Sequence, residues 1–164
     1  MADYDDILIA LRRITRAIDL HSKKLVRTSG LTTPQLLVLQ SVRKQGRAKP
    51  SAIAKDIMLS QATVTSIVDR LEKNDLVTRE RTSKDRRVVE VILTETGQSK
   101  LLEAPELLQS GFLREYRKLG EWERTQLIAS LQRVAAMMDA EELDAAPILA
   151  VGEMPADSPT KKLD

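Results

Sequence analysis

From Ser60 to Glu72 the chain reads Ser-Gln-Ala-Thr-Val-Thr-Ser-Ile-Val-Asp-Arg-Leu-Glu, a stretch suited to reading hydrogen-bonding edges rather than to making bonds. Gln61 carries a primary amide that donates and accepts at once. Ser60, Thr63, Thr65 and Ser66 add short hydroxyls, and Ala62 adds only a methyl. Such groups reach base edges and phosphates in a major groove without the bulk that would hold a helix away. Helix propensity alone would place Glu, Lys or Ala there, so these residues weaken the helix for another purpose. An ordinary polar face beside a short turn has the same composition, and the flanking residues must separate the two readings. Downstream, Ser83-Lys84-Asp85-Arg86-Arg87 is a second candidate. An Arg near an Asp at a hairpin tip can be held extended by a charge-assisted hydrogen bond, and such a guanidinium suits a narrow, electronegative minor groove. Its plain alternative is a solvated loop tip. Arg43, Lys49, Lys55, Arg70, Arg79, Arg81, Lys84 and Arg86 could meet phosphates.

Other chemistry has little to stand on. The 164 residues include no Cys, which excludes disulfides, thiolate switches, iron–sulfur clusters and Cys-ligated zinc. The single His, His21, lies near Lys23, Lys24 and Arg27 and reads as a packing or helix-end residue, with a ligand or pH role as the alternative. No nucleophile–His–acid set, glycine-rich phosphate loop or metal cluster is present, so the expectation is a protein that is not an enzyme and needs no cofactor or metal. An acidic start, Met-Ala-Asp-Tyr-Asp-Asp, and the lack of a long apolar run predict a soluble cytoplasmic protein without a membrane partner. The formal net charge of +2 hides an asymmetry. Residues 30–93 hold 12 Lys and Arg against 7 Asp and Glu, whereas residues 94–143 hold 6 against 9. Positive charge gathered around the candidate helix points to a polyanion, although charge runs are also solvated faces.

The elements that must position these groups follow from periodicity. The rear of the candidate helix is an apolar stripe of Val64, Ile67, Val68 and Leu71, with Ser60 as its N-cap. Before it, residues 5–27 form a long helix in which Ile7, Leu11, Ile14, Ile18, His21 and Leu25 repeat in steps of four and three, a seam that needs a partner. Gly30 stops that helix. Thr33 as N-cap and Pro34 at the first helical position open a second one, buried through Leu36, Leu37, Leu39 and Val42 and running to about Lys44. Lys49-Pro50-Ser51 opens a short third helix, Ala52 to Met58, and Leu59-Ser60 turns into the candidate helix. This is helix-turn-helix grammar.

After Asn74-Asp75 the period changes to two. Val77 to Arg81 and Val89 to Leu93 read as strands around a polar turn, Thr82 to Arg86, making a wing. Thr94-Glu95-Thr96-Gly97 starts a further helix with Leu101, Leu108 and Phe112 inward, which Pro105 kinks or divides. Glu121 to Leu143 forms a last amphipathic helix, with Leu127, Leu131, Val134 and Met138 on one line and Ile128 and Ala135 beside it. The fold class expected is mainly α with a small β wing: a winged helix-turn-helix lobe plus a helical dimerisation layer from both chain ends. The domains read as an N-terminal dimerisation helix at 1–29, the DNA-binding lobe at 30–97, C-terminal dimerisation helices at 98–143 and an irregular, Pro-containing tail at 144–164.

Asp85-Arg86-Arg87-Val88-Val89-Glu90-Val91-Ile92-Leu93-Thr94-Glu95-Thr96-Gly97 resembles the wing of the MarR family of transcriptional regulators, an Asp-x-Arg, an apolar strand and a Leu-Thr-x-x-Gly helix start. Leu31 to Gln40 and Ile53 to Asp75 resemble the family's helix-turn-helix core, and the match runs over roughly residues 5–143. The resemblance implies a homodimer whose two lobes bind a pseudo-palindromic operator in double-stranded DNA, acting as a repressor. Ser60, Gln61, Ala62, Thr63, Thr65 and Ser66 would be the recognition positions, and Arg87 the wing-tip arginine oriented by Asp85. It also implies regulation by a small-molecule effector between lobe and dimer helices, whose identity the residues do not name. Phe112, Tyr116 and Trp122 lie close enough in sequence for an aromatic cage but read as packing residues. Arg12 to Lys23, Leu143 to Pro147 and the tail resemble a subgroup that represses compatible-solute (ectoine, betaine) genes in osmotic stress. A winged-helix module that binds protein, without specific DNA binding, remains the alternative.

Overall fold

The computed structural model describes residues 3–82 and 85–140, with the side chains from 82 to 87 outside the described residues. The described chain falls into two compact units, one ending at Pro105 and the other beginning at Glu106. The first holds α1 (Asp3–Ser29), α2 (Thr33–Gln45), α3 (Pro50–Ile57), α4 (Gln61–Lys73), β1 (Val77–Thr82), β2 (Asp85–Leu93) and α5 (Glu95–Glu103); the second holds α6 (Leu108–Tyr116) and α7 (Glu121–Met137). The chain is mainly α with a two-stranded antiparallel sheet. Among the described residues no helix is long and apolar enough to cross a membrane.

The core of the first unit is where the apolar spacings converge. Leu36, Leu39 and Val42 of α2, Ile53 of α3, and Val64, Ile67, Val68 and Leu71 of α4 are at most 2% exposed, joined by Leu25 of α1 and by Val77 and Val91 of the hairpin. Each such side chain contributes roughly 1.5–3 kcal/mol relative to an exposed one, so α4 is anchored along its whole rear. On α2 it is Val38 rather than Leu37 that is buried, and Leu37 is only half covered.

Helix ends are set by local chemistry. Gly30 leaves α1 with φ +71, a conformation a Cβ disfavours. The start of α2 differs from the sequence reading: the capping position is Thr32, whose backbone N–H donates to Gln35 Oε1 at 2.9 Å, and Thr33 is already helical. Two adjacent threonines offered the same side chain, and Gln35, three residues beyond Thr32, decides between them. Pro50 begins α3 and Lys49 precedes it, two residues earlier than the expected Ala52. Pro105 divides rather than kinks its helix, because α5 has ended at Glu103. The wing strands run further than expected, since Thr82 belongs to β1 and Asp85 and Arg86 to β2, leaving only residues 83 and 84 between them. Register partners run from Val77 with Leu93 to Arg81 with Val89, and the pairing then shifts before Thr82 and Asp85. The last helix stops at Met137 rather than Leu143, and Asp139 takes φ 51.

Gly97 explains the Leu-Thr-x-x-Gly helix start physically. A Cβ there would lie 1.9 Å from the carbonyl oxygen of Leu76, so α5 can rest on the α4–β1 turn only through a glycine. Thr94 secures the same contact, its Oγ1 donating to Asp75 O at 2.6 Å and accepting the Gly97 N–H at 2.9 Å.

Candidate nucleic-acid interface

The α3–α4 turn sets the aim of α4. Met58 adopts the left-handed conformation at φ 55, ψ 41, and the Leu59 N–H closes onto Ala54 O at 3.0 Å. Only three residues thus separate α3 from α4, the exposed non-glycine Met58 standing in αL as the Ala54–Leu59 hydrogen bond closes the turn. Ser60 then caps α4 by accepting the Thr63 N–H at 3.0 Å, with the two hydroxyl oxygens 2.7 Å apart.

Beyond that cap the amino-terminal turns divide sharply. Gln61, Ala62 and Thr65 are exposed, and Thr63 and Ser66 are half-buried. Ser60 and Thr63 are therefore tied to each other at the cap. The Thr65 Oγ1 donates back to Gln61 O at 2.9 Å, which leaves that hydroxyl its lone pairs as acceptors. Arg70 is exposed on the same helix. The structure thus brings Gln61, Ala62, Thr63, Thr65, Ser66 and Arg70 together on α4, with Ser60 as its N-cap. Lys84 lies outside the described residues. Asp85, Arg86 and Arg87 are placed in β2 by their backbone, and the orienting of Arg87 by Asp85 falls on side chains outside the described ones.

The basic residues sort into two groups. Arg79, read from sequence as a phosphate contact, is a strut between β1 and α4: its guanidinium donates to Asp69 Oδ1 at 2.6 Å and to Glu72 Oε2 at 2.7 Å. Its backbone N–H donates to the other Glu72 oxygen at 3.1 Å. Burial disfavours the charged guanidinium, but Asp69 and Glu72 more than offset that and hold its pKa above the usual arginine value. Sequence alone could not show this, because Asp69 and Arg79 are ten positions apart and the chain between them crosses from a helix to a strand. Lys44 and Asp56 pair at 2.7 Å between α2 and α3, and the hydrogen bonds from Lys44 and then Ser41 hold the Asp56 carboxyl below its usual range. Arg47, not among the candidate phosphate contacts, pairs with Glu80 of β1 and approaches Glu90 of β2. Arg43, Lys49, Lys55, Arg70 and Arg81 are left as exposed cations without an ion-pair partner among the described residues.

Among the described residues no three or more His, Asp and Glu are grouped so as to hold a metal ion. In the second unit Phe112 and Tyr116 stack at 5.7 Å between ring centroids, and the Arg124 guanidinium lies 5.4 Å from the Tyr116 centroid. The cation position over Tyr116 is thus already filled by the protein. The expectation that Phe112 and Trp122 are core residues is corrected, since they are 52% and 71% exposed within the chain. Two helices of 9 and 17 residues bury little surface by themselves, so apolar side chains on either stay uncovered within the unit.

Comparison with known proteins places this geometry. The model of the MarR family matches residues 31–89. Among curated relatives, the HTH-type transcriptional repressor MdtR of Bacillus subtilis is 36% identical over 98 residues, covering 60% of this chain and 63% of that protein. The HTH-type transcriptional regulator MhqR of the same organism is 32% identical over 91 residues, covering 56% and 63%. The chain therefore spans under two thirds of the length of these two relatives. Among solved structures, the YusO protein from Bacillus subtilis superposes with a TM-score of 0.53 at 31% identity, covering 81% of this chain and 94% of that one.

Proposed function

We propose, from the premise that this chain belongs to the MarR family, that it is a cytoplasmic transcriptional regulator that binds double-stranded DNA as a homodimer. In this reading α4 enters the major groove by its amino-terminal turns. The wing reaches the adjacent minor groove through Arg87, and the exposed cations meet phosphates. The observation that carries it is the division of α4: a fully buried rear face beneath an amino-terminal turn where Gln61, Ala62 and Thr65 stand exposed. Such a helix is rigid where it is read and bare where it reads.

The finer reading is repression of a pseudo-palindromic operator, which the name of MdtR supports by analogy. Control of compatible-solute genes rests on the resemblance of residues 12–23 and of the tail alone. The dimer is supported by apolar side chains left to water, Ile7, Leu8, Ile14 and Leu20 on α1 and Leu127, Ile128 and Leu131 on α7. A small-molecule effector would act by binding one lobe separation more tightly than another.

The test is equilibrium binding of the chain to its own promoter fragment and to a shuffled duplex, at several salt concentrations. Six to ten phosphate contacts predict a loss of roughly 10³ to 10⁵ in affinity between about 50 and 200 mM salt, with the promoter preferred throughout. Equal and salt-insensitive binding to both duplexes, or none in dilute buffer, would sink the reading in favour of a protein-binding module.

A further inference from the structure

We propose that Arg47 is a positioning residue for DNA recognition, setting the pose of the wing on the helical lobe by gripping two facing glutamates. The inference rests on the DNA-binding reading and adds a part to it. Glu80 and Glu90 are register partners on β1 and β2. Like charges directly opposite each other across a hairpin repel, so the pair opposes the hairpin it sits in. Arg47 lies in the connection between α2 and α3, 33 residues from Glu80 in sequence. Its guanidinium pairs with Glu80 through Nη2 and lies 3.6 Å from Glu90 Oε2 through Nη1, placing one positive charge against two negative ones.

The next residue makes the clamp directional. Ala48 exchanges both backbone hydrogen bonds with Val91, N–H to O at 3.1 Å and O from N–H at 2.8 Å, so the connection forms an isolated bridge to β2 at the residue after Glu90. Val91 is in turn the register partner of Arg79, which is tied to Asp69 and Glu72 of α4. The hairpin is therefore held at one level from two sides, by α4 through Arg79 and by the α2–α3 connection through Arg47 and Ala48. Thr82, where β1 ends, lies two positions beyond Glu80, a lever of roughly 7 Å at the usual strand rise. A small rotation at the clamp thus becomes a displacement at the far end of β1. Arg47 and Glu80 are each about half exposed, 53% and 51%, and ion pairs that wet contribute little to folding. What the clamp supplies is orientation.

The sign of one effect separates this from an ordinary surface ion pair. Taking two negative charges off a DNA-binding lobe should by itself strengthen binding to a polyanion. Losing the clamp should weaken it. The experiment is the Glu80→Gln/Glu90→Gln double variant, with Arg47→Gln alongside, measured for promoter affinity, thermal midpoint and amide exchange at Ala48 and Val91. Expected are binding weaker by roughly three- to tenfold, a midpoint within about 2 °C of the unaltered chain, and faster exchange at both amides. Promoter binding by the double variant that equals or exceeds that of the unaltered chain overturns the proposal, as does unchanged exchange. An unaltered chain that binds no DNA overturns the reading beneath it, and the exchange measurement then reports a structural clamp with no role in recognition.

Discussion

Side chains of one chemical type take different duties on α4 according to what surrounds them. Ser60 and Thr63 close the cap, Thr65 returns its proton to Gln61 O, and the Gln61 amide stands exposed beside them. An amide with donor and acceptor both available is the group that pairs bidentately with adenine, worth about 1–3 kcal/mol of discrimination. Gln61→Ala should therefore relax sequence preference by that amount while leaving the salt slope of binding unchanged, measured by competition between operator variants. A uniform loss on every duplex would remove Gln61 from the reading face. Gly97 works by absence of a side chain. Because a Cβ there would meet the Leu76 carbonyl at 1.9 Å, Gly97→Ala should destabilise the first unit by about 1–3 kcal/mol, read from denaturant midpoints.

At the scale of elements, charged groups of the kind that meet phosphates are used to join the lobe. Arg79 ties β1 to α4, Arg47 ties the α2–α3 connection to the hairpin, and Lys44 ties α2 to α3. The Lys44–Asp56 pair has a pH signature. The folded carboxyl titrates below the unfolded one, so its contribution is complete above the ordinary carboxylate pKa and is lost as pH falls through the lowered folded value. Asp56→Asn should cost up to about 1 kcal/mol at neutral pH. That cost should vanish in acid once the native carboxyl is protonated, as thermal melts across the acid range would register. A cost that persisted unchanged in acid would mean that Asp56 acts through packing instead.

For the molecule as a whole, the distribution of apolar surface carries the argument. The helix-turn-helix and hairpin have a closed core, whereas α1 and α7 expose Ile14 at 50%, Leu20 at 51%, Ile128 at 48% and Leu131 at 54%. The proposed homodimer would cover such surface. Leu131→Glu should then shift the chain toward monomer in sedimentation and weaken operator binding by at least ~10-fold, because one lobe reads only half a site. A wild-type chain that is monomeric at micromolar concentration would contradict the dimer outright.

Where structure follows from neighbours a few residues apart, the amino-acid order was sufficient. The stripe of Val64, Ile67, Val68 and Leu71, the Ser60 cap, the Gly30 stop and the alternation on either side of the wing are local patterns, and each became the element its period implied. Even the Leu-Thr-x-x-Gly helix start could be read as a motif, although its cause, the touch of Gly97 on Leu76, lies between elements. What remained for the tertiary structure was the assignment of charge. Whether an arginine is free to meet phosphate depends on carboxylates that the fold brings to it. Arg79 and Arg47 found theirs 7, 10 and 33 residues away across a change of element, whereas Arg70 met none among the described residues. Periodicity reports which face of an element is buried, but not which element lies opposite, and ion pairs are decided by the latter.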